Sequence, residues 1–141
     1  VTDVINQFAD GRLNIIVEGT DRIRLIERSD DQPYISGMVE RVPDEGDTPP
    51  PPIVERTRNL YVEALKLSIG WYRAPEHESE DIAALSYKIA AALGIPPERQ
   101  QILLEQTSIG NRYRLLKDTL EDALEGLREH ARKVSGNGKA H

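Results

Sequence analysis

The stretch "PEHESED", residues 75–81, gathers His77 with Glu76, Glu78, Glu80 and Asp81. An imidazole beside carboxylates could hold a divalent cation. An acid-rich run just ahead of a helix has a simpler use, because carboxylates suit the positive end of the helix dipole. The other two histidines, His130 and His141, stand near and at the end of the chain and are not expected to join His77. The chain has no cysteine, so it offers no thiol nucleophile, no thiolate metal site and no disulfide framework. It contains no glycine-rich phosphate loop ending in Lys-Ser/Thr, no Gly-x-Ser-x-Gly elbow and no His-Glu-x-x-His pair. Carboxylates are abundant, yet no two are singled out as a general acid and base. No catalytic residue, metal ligand set or cofactor is expected. The sequence reads as a protein that binds.

The bulk properties narrow what it could bind. A length of 141 residues fits one domain or two small units. With 38% hydrophobic and 30% charged residues, the chain is too apolar to stay disordered. A formal charge of -6 argues against nucleic acid as a partner, because phosphate binding needs a basic face. No apolar run approaches the ~20 residues that span a bilayer, so no membrane partner is expected. The lack of cysteine fits a reducing compartment, and a cytoplasmic location is the expectation.

The elements that must carry any binding surface fall into two halves. Residues 1–42 are expected to form a β subdomain. "VTDVINQF", "RLNIIVEG", "RIRLIER" and "YISGMVERV" each alternate apolar and polar residues, and Asp10-Gly11 marks a tight turn. Four strands so closely spaced predict an antiparallel meander. Gly19 is expected at a bulge or corner. Residues 43–52, "PDEGDTPPPP", read as an acidic, proline-rich connector of stiff, extended geometry.

Residues 53–134 are expected to form a bundle of about four helices, followed by a disordered tail over 135–141. Ile53, Thr57, Leu60, Ala64, Leu67 and Trp71 share one helix face. Val54, Tyr61, Leu65, Ile69 and Tyr72 line the face beside it. A second helix presents Ile82, Leu85, Ile89 and Leu93, with Ser79 as its expected N-cap and Gly94 as its stop. "IPPERQQILLEQ" opens a short third helix on proline. In the last helix, Ile109, Tyr113, Leu116, Leu120, Ala123, Leu127, Ala131 and Val134 form a stripe that would pack on sibling helices or pair chains in a coiled coil. Ser108 is its candidate cap.

The segment "DGRLNIIVEGTDRIRL" resembles the hallmark of the N-terminal, substrate-binding domain of the Lon protease family. The matching features are Gly11-Arg12-Leu13, Val17-Glu18-Gly19 and Arg22-Ile23-Arg24-Leu25, followed by "PYISGMVERVPDE". The helical half is similar in "DIAALSYKIAAALGIPPERQQILLEQ" and "RYRLLKDTLEDALEGLRE". The resemblance implies an α+β fold: a small, antiparallel, PUA-like sheet or partial barrel, then a helical bundle. The family's domain opens with a longer β region, so the barrel is expected to be incomplete at its N-terminus. The family's ATPase and peptidase modules have no counterpart in this sequence, which implies the recognition part, stand-alone or truncated. PUA-like folds often bind RNA, but the acidic balance weighs against that here.

Two functions follow as expectations. The first is non-catalytic recognition of unfolded or specific polypeptides, with Tyr34, Met38, Trp71 and Tyr72 as candidate contacts, because aromatic and methionine side chains suit adaptable surfaces. Each of these could instead fill the interface between sheet and helices. The second is a structural role in which the stripe from Ile109 to Val134 pairs two copies as a homodimer.

Overall fold

A computed structural model of the chain describes residues 3–69 and 81–136. It divides into two units at the Pro43–Asp44 link. The first is β and the second is helical, so the fold is α+β, and among the described residues the strands form no closed barrel.

The β unit holds β1 (Asp3–Gln7), β2 (Leu13–Ile16), β3 (Ile23–Ser29) and β4 (Ser36–Arg41). All four strands stand where the alternation places them. Their pairing differs from the expected meander: β1 pairs with β2 and β3 with β4, as two separate antiparallel ribbons. At the first turn, Phe8 N donates to Arg12 O at 2.9 Å and Gly11 N to Phe8 O at 3.0 Å. Bulges also fall elsewhere than at Gly19, which lies in the link between β2 and β3. The register slips between Val4 and Asn6 and again between Leu25 and Glu27, leaving Ile5 and Ile26 as the extra residues. A bulge kinks a ribbon and strengthens its twist. Gly37 is fixed by close approach, because a Cβ there would sit 2.6 Å from Glu27 O and 2.8 Å from Leu25 Cδ1.

The helical unit contains α1 (Pro51–Ile69), α2 (Ile82–Ala92), α3 (Pro97–Glu105) and α4 (Ile109–Gly136). Helix α1 begins on the last two prolines of the run rather than at Ile53. Proline suits a first turn, because its φ is already helical and its missing N–H would have had no intrahelical partner. The cap of α2 is Asp81, whose Oδ1 accepts from Ala83 N at 3.1 Å. Ser79, the expected cap, lies outside the described residues. Gly94 follows the last turn at φ +57°, the left-handed conformation that ends a helix cheaply only on glycine. Pro96 and Pro97 open α3 as expected.

The core is made by α1, α2, α3 and α4 around Leu60, Ala64, Leu85, Ile89, Leu103, Leu116, Leu120 and Leu124. The α4 stripe runs Tyr113, Leu116, Leu120, Leu124, all fully buried. From Leu120 it steps by four to Leu124, where the expected stripe stepped by three to Ala123, which is only half-buried. The larger leucine gains more from burial, and a step of four stays on the line facing α1. The side chains of Ala131 and Val134 lie outside those described. Two buried hydroxyls of this core donate to backbone carbonyls. Tyr113 Oη donates to Ile82 O at 2.9 Å, and Thr57 Oγ1 to Ile53 O at 2.8 Å.

Residues 44–50, read from composition as a connector, are bonded into the helical unit. Asp47 caps α4: its carboxylate accepts from Ile109 N at 2.7 Å, Gly110 N at 2.8 Å and Ser108 Oγ at 3.0 Å. Ser108 Oγ in turn accepts from Asn111 N at 3.1 Å, as its place ahead of the helix predicts. Glu45 N donates to Thr107 O at 3.0 Å, and Thr107 Oγ1 donates to the Glu45 carboxylate. Pro49 is buried.

The Gly110 amide, with help from the Ile109 amide and the Ser108 hydroxyl, holds the Asp47 carboxyl below its usual 3.8, outweighing the opposing effect of burial. A folded-state pKa below the unfolded one stabilises the fold above pH 3.8 and loses that contribution as pH falls through the depressed value. Asp47→Asn keeps an acceptor at the cap but removes the charge. Urea midpoints followed from pH 6 down to pH 2 are expected to show the variant weaker than the parent near neutrality, with the gap closing as the parent's Asp47 protonates. A gap constant over that range would show that the charge contributes nothing.

Candidate recognition surface

Opposed residues of an antiparallel pair share a face, and neighbours along a strand alternate between faces. In the β3–β4 ribbon, Leu25 opposes Val39 and Ile23 opposes Arg41, so Ile23, Leu25 and Val39 share one face. Arg24 opposes Glu40 on the other face, with Nη1 to Oε1 at 2.6 Å. In the β1–β2 ribbon, Val4 opposes Ile15 and Gln7 opposes Leu13, which puts Val4, Leu13 and Ile15 together. All six apolar side chains keep between 49 and 60% or, for Ile15, 45% of their surface open.

These exposures have a physical cause. Two-stranded ribbons have no second layer of their own and gain little from one face alone. These apolar faces therefore stay open among the described residues. Covering a Val, Leu or Ile side chain completely is worth roughly 1.5–3 kcal/mol. Two rows of three such residues thus hold a large attraction for any apolar partner.

Tyr34 lies in the connection leading into β4 and is 68% exposed; Met38 lies on β4 and is 63% exposed. Neither side chain is buried. Met38 alternates with Val39, so it stands on the face of the Arg24–Glu40 pair rather than with the apolar row. Trp71, Tyr72 and His77 lie outside the described residues. The apolar rows themselves were legible as alternation. Their exposure was not, because alternation says which residues share a face and nothing about what covers it.

The rows are bounded by ion pairs. Arg28 reaches Asp30 at 2.9 Å and Arg41 reaches Asp21 at 2.8 Å. At the first turn, Arg12 lies 5.2 Å from the centre of the Phe8 ring and 2.8 Å from Asp10. Solvent-exposed pairs of this kind contribute little to stability. Among the described residues no helix is long and apolar enough to cross a membrane, and no cluster of three or more His, Cys, Asp or Glu side chains could hold a metal ion. The β unit thus presents exposed apolar side chains with ion pairs at their margins.

A search of curated proteins returns no match. A family model does match, described as the ATP-dependent protease La (LON) substrate-binding domain, over residues 2–122. That span takes in every described strand, the first three helices and the start of α4 with Tyr113, Leu116 and Leu120. The chain belongs to the Lon substrate-binding domain family.

Proposed function

We propose that this chain is a non-catalytic module that captures unfolded or specific polypeptide segments through the apolar rows of its β unit, acting in the cytoplasm. The observation that carries the reading is the exposure of Ile23, Leu25 and Val39 on one face of a ribbon in a chain of this family. Apolar rows suit a partner whose own apolar side chains are unburied, as they are in an unfolded chain. Tyr34 and, on the other face of the ribbon, Met38 would supply adaptable contacts, and Trp71 and Tyr72 are candidates by residue type. The paired charges at the margins of the β3–β4 ribbon would favour no one charge sign in the captured segment.

The test is fluorescence anisotropy with a labelled, permanently unfolded polypeptide titrated by the full chain. Leu25→Ser with Val39→Ser is expected to weaken binding about 5- to 30-fold, as follows from a loss of 1–2 kcal/mol at an interface anchor. Both side chains are exposed, so circular dichroism should be unchanged. Absence of binding by the parent chain, or binding indifferent to the double substitution, defeats the reading.

A further inference from the structure

On the reading that the apolar rows bind polypeptide, we propose that both ribbons of the β unit take their order from the segment they hold. Capture and folding of this unit are then one step. The buried hydrophobic residues, from Val54 to Leu124, all belong to the helical unit. Among the described residues of the β unit none is buried. Its two ribbons share no hydrogen-bonded ladder, and no broad contact joins them.

A two-stranded ribbon by itself is at best marginally stable in water, because cross-strand pairs alone do not offset the entropy of ordering it. A firm fold needs a layer laid on the apolar side. Val4, Leu13 and Ile15 of one ribbon and Ile23, Leu25 and Val39 of the other are the side chains such a layer would cover. An unfolded segment with apolar side chains supplies that layer. A surface that folds as it binds can also adapt to segments of differing sequence. A second copy of the chain is a poorer cover, since each carries a formal charge of -6 and two copies repel.

Amide hydrogen exchange on the full chain tests this, with and without the permanently unfolded polypeptide of the anisotropy assay. In the free chain, amides of β1 to β4 are expected to exchange within about 10-fold of unfolded rates, while those of Leu116 and Leu120 in α4 stay protected. With polypeptide at about 100 times its Kd, exchange from both ribbons should slow about 100-fold. At the same concentration, Leu25→Ser with Val39→Ser should leave a slowing of about 4- to 20-fold, as its weaker binding dictates. That loss should reach β1 and β2, which carry no substitution. Free ribbons protected as strongly as α4 overturn the proposal, and so does binding that slows exchange in one ribbon alone or in neither. Protection that grows with chain concentration in the absence of polypeptide assigns the cover to a second copy and overturns it too. Absence of binding defeats the recognition reading and this proposal with it, and anisotropy reports that outcome separately.

Discussion

Replacing Asp44 by alanine is expected to destabilise the helical unit by about 3 kcal/mol, the lower end of the range for removing one partner of a buried ion pair. The reason lies on the other side of the pair. Arg112 is fully buried, and its Nε and Nη1 have no hydrogen-bond acceptor. Its charge is compensated by Asp44 at 2.6 Å and by the face of Tyr87, whose ring centre lies 4.1 Å from the guanidinium carbon. Without the carboxylate, Nη2 loses that acceptor as well, and the buried cation keeps the aromatic face with Nε and Nη1 already unpaired. Asp44 retains 21% of its side-chain surface, so water enters in part, which argues for the lower figure.

The companion variant makes the mechanism testable. Arg112→Met removes the charge together with its desolvation cost and fills most of the same space, so it is expected to cost less than Asp44→Ala. The double variant should be more stable than Asp44→Ala alone, a non-additivity that contact between the two residues demands. Urea midpoints of the four proteins decide the matter. An Asp44→Ala chain within about 0.5 kcal/mol of the parent, the ordinary effect of a surface change, would show that the pair does not hold the helical unit together.

This pair also shows where sequence reading stops. Asp44 sits in an acidic, proline-rich run whose composition says connector, and Arg112 sits in the charged text of a long helix. Their meeting is a contact over 68 residues, and no local pattern encodes it. The same holds for Asp47 and the start of α4, where only the nearby Ser108 announced itself as a cap. What was legible is what a period can carry. Alternation placed all four strands, and the spacing of three and four placed the helices and most of their buried faces. The ribbons' pairing was not legible, because the same alternation allows β2 to pair with β3 or to leave it. The bulges at Ile5 and Ile26 were hidden for a related reason, since a bulge is a mismatch between two strands and either strand alone reads as regular. The candidate surface was half legible: its apolar residues were visible, but residue type drew Tyr34 and Met38 forward ahead of Ile23, Leu25 and Val39.

Exposure sets Leu120 apart from Leu25, and that contrast carries the second large effect. Leu120 is fully buried in the cluster with Leu60, Ala64, Leu116 and Leu124, where α4 packs on α1. Leu120→Ala removes three carbons from a close-packed site and leaves a cavity that the surrounding helices fill only in part. The expected loss is about 2–5 kcal/mol. Leu25→Ala makes the same chemical change at a side chain 60% exposed on β3, where water already reaches most of the surface. Its expected effect on the stability of the helical unit is below about 0.5 kcal/mol, while its effect on polypeptide capture should be plain. Urea denaturation followed by helical circular dichroism measures the first quantity, and anisotropy with an unfolded polypeptide measures the second. If Leu120→Ala unfolds no more easily than Leu25→Ala, the core does not lie along Tyr113, Leu116, Leu120 and Leu124. If the two variants instead separate in opposite directions on the two assays, stability resides in the helices and recognition in the ribbons. That result would assign the apolar residues left open in the β unit to binding, because the fold would have been shown to stand without them.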